Sequence, residues 1–156
     1  MSINGLPAHP LFVHLAVVVI PLAAVLGIVA VVWPAARVRL GIATPLVALV
    51  AMVITPLTTS AGETLEKQVR GNADLARHAA LGDQMIAWVA PLFVFVLVFW
   101  VMTDGRFLAR LPRPLSPVLM RSAFWVVSAG IVIAGVGAVI MTVLVGEAGA
   151  RSVWVD

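Results

Sequence analysis

The chain holds three histidines, His9, His14 and His78, and these, with Glu63 and Glu147, are the residues able to do more than pack. Neutral imidazole ligates haem iron, zinc, copper and non-haem iron. A carboxylate near it can complete a metal shell or take up a proton. The chain has no cysteine, which excludes disulfides, iron–sulfur clusters, thiolate zinc sites and covalently attached c-type haem. It also contains no HExxH, G-x-S-x-G or phosphate-loop motif, which argues against a stand-alone enzyme. Three chemistries stay open. Two histidines on facing helices could hold haem b axially. His14, His78, Glu63 and Glu147 could hold a transition metal, as inward side chains do in soluble bundles. The same groups could relay protons.

The elements that must position these residues are membrane helices. Of 156 residues, 62% are hydrophobic and 11% charged, against roughly a quarter charged in soluble domains. Mean hydropathy is +1.12. The sequence pI is near 11.1, but the basic residues are dispersed and never interleave with aromatics, so nucleic acid is not the partner. The lipid bilayer is. About 20 apolar residues make a span, and four stretches qualify: Leu11–Trp33, Val38–Thr59, Met85–Met102 and Ser122–Val145. The third follows a more polar helical stretch from about Asn72. No Lys or Arg precedes the first run, and that run is long for a signal peptide, so it reads as a helix of the protein. The expectation is an all-α polytopic bundle, one domain over 1–156, of four antiparallel spans.

Charge orients the bundle. Four spans put both termini and the 60–83 loop on one side and the two hairpin links on the other. The link side holds Arg37, Arg39, Arg106, Arg110, Arg113 and Arg121 against Asp104, a net +5. The terminus side holds Lys67, Arg70, Arg77 and Arg151 against Glu63, Glu66, Asp74, Asp83, Glu147 and Asp156, a net −2, and the two sides sum to the chain's +3. The positive-inside rule then places the links in the cytoplasm and both termini outside. Trp33, Trp100 and Trp125 near the links, with Trp88 and Trp154 near the termini, make the expected aromatic belts. Ala23 with Gly27, and Gly130 with Ala134, Gly135 and Gly137, have the small-residue spacing that lets helices approach. Pro21, Pro45, Pro56 and Pro91 lie within spans and are expected to bend them.

On this topology every histidine falls at the terminus end. His14 lies about one turn inside the first span, and His9, before Pro10, lies just ahead of it. Thr55, Thr59 and Glu63 form a stripe along the second span. His78, Gly82, Met85 and Val89 share one face, expected to point into the bundle. The second and fourth spans each close on Gly-Glu, at Gly62-Glu63 and Gly146-Glu147. His9 and Pro21 are twelve apart and His78 and Pro91 thirteen, so each hairpin reads as a histidine-in, glutamate-out unit. The plainer alternative is that these histidines and glutamates are ordinary helix ends meeting water. Glu66 and Arg70 are spaced as an ordinary i, i+4 pair.

The opening Leu6-Pro7-Ala8-His9-Pro10-Leu11-Phe12-Val13-His14, the Gly62-Glu63 ending, the Arg77-His78 entry and the closing Gly146-Glu147-Ala148-Gly149-Ala150-Arg151-Ser152-Val153-Trp154 resemble a family of small bacterial inner-membrane proteins catalogued as domain of unknown function 2231. The resemblance covers nearly the whole chain. It implies a four-helix protein of the bacterial inner membrane. Some relatives are joined to Rieske-type iron–sulfur domains, and the family is distantly similar to b-type cytochromes, which favours redox chemistry and haem over a transporter, with a respiratory or redox protein as the expected partner. The family's closing motif often has histidine where this chain has Glu147. The leading reading is a small electron-transfer protein binding haem b or a metal. His14 and His78 would be its ligands, His9 an alternate partner, and Glu63 and Glu147 would orient ligands or take up protons. The competing reading is a non-catalytic accessory subunit docking a membrane or periplasmic partner. A homo-oligomer is compatible with either. A translocator is disfavoured, because the link-side halves of the spans lack a polar path.

Overall fold

The computed structural model describes residues 2–3, 6–66, 73–109 and 116–154, with side chains described over 11–64, 73–107, 109 and 116–152. A two-residue antiparallel pairing, Ser2–Ile3 with Leu6–Pro7, precedes the first helix. The rest of the described chain is helical: α1 Ala8–Val32, α2 Pro34–Leu40, α3 Ala43–Glu66, α4 Ala73–Gln84, α5 Ile86–Thr103, α6 Gly105–Leu108 and α7 Pro117–Trp154. Four segments are long and apolar enough to cross a membrane: Leu11–Val32, Ala43–Thr64, Ala73–Thr103 and Pro117–Ser152. This is the expected all-α four-span bundle.

The element ends differ from the sequence reading in ways that matter. The first hairpin link is itself a helix, α2. Trp33 is extended, Pro34 takes the first helical position, and Gly41 ends the turn at φ +46°, where a side chain would be strained. The third span is α4 and α5 joined at Met85, which has helical dihedrals, φ −58° and ψ −39°. The Met85 N–H donates to Gly82 O at 3.1 Å, and the Val89 N–H to Met85 O at 3.1 Å. Ser116 caps α7, its Oγ accepting from the Leu119 N–H at 3.2 Å. α7 then runs 38 residues without a break, roughly 57 Å at 1.5 Å per residue and longer than a bilayer core. Gly146-Glu147 is therefore inside a helix and not at its end, and so is Gly62-Glu63 in α3. Pro21, Pro56 and Pro91 sit inside continuous helices. The Glu66–Arg70 pair, Arg110, Arg113 and the side chain of Trp154 lie outside what is described.

The four long helices pack in a ring: α1 against α3, α3 against α5, α5 against α7 and α7 against α1. α1 and α5 are thus diagonal partners that touch across the centre. α4 leans mainly on the far end of α7 and also meets α3. One core runs through all four spans, with Ile20, Val89, Leu92, Val96 and Ile131 fully buried. Small residues set its spacing. A Cβ built at Gly27 would lie 3.1 Å from both Val96 Cγ2 and Ile131 Cγ2, and one at Gly135 would lie 3.3 Å from Ala24 Cβ. The rings of Phe95 and Trp88 occupy the side-chain space of Gly130 and Gly137. Trp88 therefore packs inward on α7. With lipid outside, such fit supplies the association energy through dispersion, because lipid tails are as apolar as the core.

Candidate functional site

At the terminus end the surroundings of His78 are built by α7. It lies on the α4 face continued by Gly82, Met85 and Val89, and Met85 and Val89 are buried, so this face points into the bundle as its spacing predicts. Its Nδ1 is 2.9 Å from Val145 O of α7. A carbonyl oxygen only accepts, so Nδ1 carries the proton and donates, and in the neutral ring the lone pair is on Nε2. The ring lies over Gly149, where a Cβ would come within 3.0 Å of Nδ1 and 3.1 Å of Cε1. One helical turn of α7, Val145 to Gly149, thus fixes both the tautomer and the plane of the imidazole.

The other predicted site residues are placed differently. Glu147 is exposed and bonds to Arg151, one turn on, with Oε1 at 2.8 Å from Nη2 and 3.1 Å from Nε. Glu63 is exposed on α3. Thr55 and Thr59, on the same stripe, return their hydroxyls to their own helix, at Ala51 O (2.8 Å) and Pro56 O (3.1 Å), so they bring no polarity to a shared site. His14 is exposed, two residues from the buried Ala16 and so nearly opposite it on α1. His9 belongs to α1 and does not precede it; its side chain is outside what is described. Among the described residues no group of three or more His, Asp or Glu side chains could hold a metal ion. Glu63 and Glu147 project from exposed flanks of continuous helices where helix ends were expected.

The family of predicted membrane proteins catalogued as domain of unknown function 2231 matches residues 5–156. The chain belongs to this family. No curated protein and no solved structure matches it. The match to domain of unknown function 2231 takes in all four spans, all three histidines and the Val145–Gly149 turn, so the His78 contact is part of the family domain itself.

The donor set can be tested against the groups it could hold. A structural or catalytic zinc takes three or four protein ligands, and the described side chains do not assemble that many. Haem brings four nitrogens of its own and asks the protein for one or two axial side chains. A single imidazole oriented through Nδ1 meets the second demand in number. Metal-ligating histidines characteristically donate their other ring N–H to a carbonyl or carboxylate, as His78 does.

Two features of the site were not legible beforehand. Val145 acts through its backbone oxygen, which no residue type advertises. Gly149 stood in the closing motif, but only the approach of α4 gives its missing side chain a use. At the opposite end, Arg37 does more than contribute charge. Its Nε donates to Ala30 O at 2.7 Å and its Nη2 to Val31 O at 3.1 Å, capping the last turn of α1. Its guanidinium also lies over Phe99 and Phe124, 4.8 and 5.6 Å from the ring centroids. Burial pushes its pKa below the ordinary arginine value, yet it remains charged at neutral pH.

Proposed function

We propose that this protein is a small membrane electron-transfer module that holds haem b at its terminus end, with His78 as an axial ligand. The observation that carries the reading is the 2.9 Å bond from His78 Nδ1 to Val145 O, which orients the ring in the way a ligating imidazole is characteristically held by its other nitrogen. Bound haem would supply one-electron chemistry. The protein's part would be to fix the imidazole plane through Val145 and Gly149. A bare transition metal is less well supported, because the described donors do not converge in threes. By the positive-inside rule the site would face the extracytoplasmic side of a bacterial inner membrane, where a respiratory or redox partner could exchange electrons with it.

A second reading, an accessory subunit, draws on the exposed Glu63 and the exposed Glu147–Arg151 pair at the same end. These would offer a charged rim to a membrane or periplasmic partner. The visible spectrum and elemental analysis of protein purified in mild detergent without chelator separate the two. The haem reading expects a Soret band that shifts on reduction and is lost in His78→Ala. Protein with neither chromophore nor stoichiometric iron would overturn it and leave the accessory role.

A further inference from the structure

We infer that the link end of the bundle carries a binding site for a phosphate group, presented by an anionic phospholipid and held by Arg37 and Thr44. The inference is independent of the haem reading, which concerns the other end. A cavity of about 10 Å³ lies between α1, α2, α3 and α5. Arg37, Thr44, Trp100 and Thr103 line it, and the contact of Gly27 with Val96 and Ile131 closes it toward the bundle centre. That volume admits one oxygen-sized group. A phosphate can seat one of its oxygens there while the rest of the headgroup stays at the mouth. Thr44 is the side chain that asks for such a group. Every other threonine of the chain returns its hydroxyl to a carbonyl three or four residues back in its own helix, Thr103 to Phe99 O at 2.8 Å among them. Thr44 has no such option. It stands in the first turn of α3, and the residue four back, Leu40, belongs to α2 across the Gly41 turn. Thr44 is 4% exposed, lines the cavity and makes no hydrogen bond to a described residue. A hydroxyl so buried is costly unless something in the cavity bonds to it.

The electrostatics of the cavity select an anion. Arg37 gives Nε and Nη2 to Ala30 O and Val31 O, which leaves the other N–H groups of its five-donor fork. Among the described residues it has no carboxylate partner. Asp104, the single acid on the link side of the sequence, accepts from the Arg106 N–H at 2.8 Å instead. The first turn of α3 holds no acidic residue, so the positive end of its dipole faces the site unopposed. A cation, a helix N-terminus and an unpartnered hydroxyl together suit a group with several oxygen acceptors, which is a phosphate. Depth makes a lipid its source. The first span ends at Val32 and the second begins at Ala43, so Arg37 and Thr44 stand at the boundary between hydrocarbon and water, where phospholipid phosphates lie. The link side also carries the larger share of Lys and Arg. The positive-inside rule makes that side cytoplasmic, and the lipid leaflet there is anionic.

The test titrates the full chain in mild detergent with phosphatidylglycerol, with diacylglycerol of the same acyl chains and with inorganic phosphate, read by native mass spectrometry and by the thermal midpoint. One phosphatidylglycerol per chain with a raised midpoint is expected, and no diacylglycerol adduct. Thr44→Val removes a hydroxyl that holds nothing in the protein. It should keep the unliganded midpoint and weaken phosphatidylglycerol binding by about tenfold, and Thr44→Ser should restore it. Arg39→Gln, at an exposed arginine of the same link, should bind nearly as the wild type. Loss in Arg39→Gln with none in Thr44→Val would reduce the effect to attraction by a basic surface and overturn the site. Absence of a phosphatidylglycerol adduct, or equal binding of diacylglycerol, also overturns it and leaves the cavity to an ordered water. If inorganic phosphate raises the midpoint as far as phosphatidylglycerol does, and Thr44→Val abolishes the effect, the phosphate site stands and the lipid is overturned as its source.

Discussion

At Gly149 the position of a side chain is already filled by the His78 ring, 3.0 Å from where a Cβ would stand. Gly149→Ala must push the imidazole aside by a few tenths of an ångström and loosen its bond to Val145 O. The expected cost is about 1 kcal/mol, at the low end for overpacking, read as a lower thermal midpoint in detergent. If His78 holds haem, the same variant also weakens haem retention. Arg37 makes the second prediction at this scale. Truncation to Ala removes two charge-assisted bonds to the last carbonyls of α1 and the contact with Phe99 and Phe124. A loss of about 1–3 kcal/mol follows. Arg37→Lys should recover only part of it, because an ammonium cannot span Ala30 O and Val31 O as a planar fork does. Residue type alone marked His78 as capable of ligation and Arg37 as a charge near a membrane face. It did not distinguish His78, locked by a neighbouring helix, from His14, which differs from it only in where its helix turns it.

Among the helices, α7 carries the sharpest contrast. Gly137 and Gly146 lie nine residues apart in one unbroken helix. A Cβ on Gly137 would lie 2.0 Å from Cε3 of Trp88, whereas one on Gly146 would meet nothing within 4 Å. Gly137→Ala should therefore destabilise the α5–α7 contact by about 1–3 kcal/mol. Gly146→Ala should be neutral or stabilise by about 0.5–1 kcal/mol, because alanine suits a helix interior better than glycine. Paired thermal melts of the two variants check both signs. Hydropathy and length made the four spans readable, since lipid demands about 20 apolar residues from each. The helix ends were less readable. α7 continues past Val145 to Trp154 because Gly-Glu-Ala-Gly-Ala-Arg is polar enough to leave the bilayer but contains no proline to break the helix. α3 passes Gly62-Glu63 for the same reason.

For the whole molecule, the distribution of Lys and Arg makes an orientation prediction. A single cysteine placed at Ser116, on the link side, should react with a membrane-impermeant maleimide only after the cell membrane is opened. One placed at Ala150, on the terminus side, should react in spheroplasts with the membrane intact. The opposite pattern would invert the protein and move the His78 site to the cytoplasm. Composition and periodicity were enough for the class of fold, the number of spans and the gathering of all three histidines at one end. Those features follow from the cost of leaving polar groups in hydrocarbon, a cost each segment meets on its own. The partners of the site residues were a different matter. That α1 stands diagonal to α5, that α7 extends far enough to offer Val145 O to His78, and that Glu147 turns to Arg151 all depend on how four helices rotate against one another. Those rotations are decided by close contacts such as Gly27 on Val96 and Gly137 on Trp88. Such contacts are made between residues far apart in the chain, so only the packed bundle selects them.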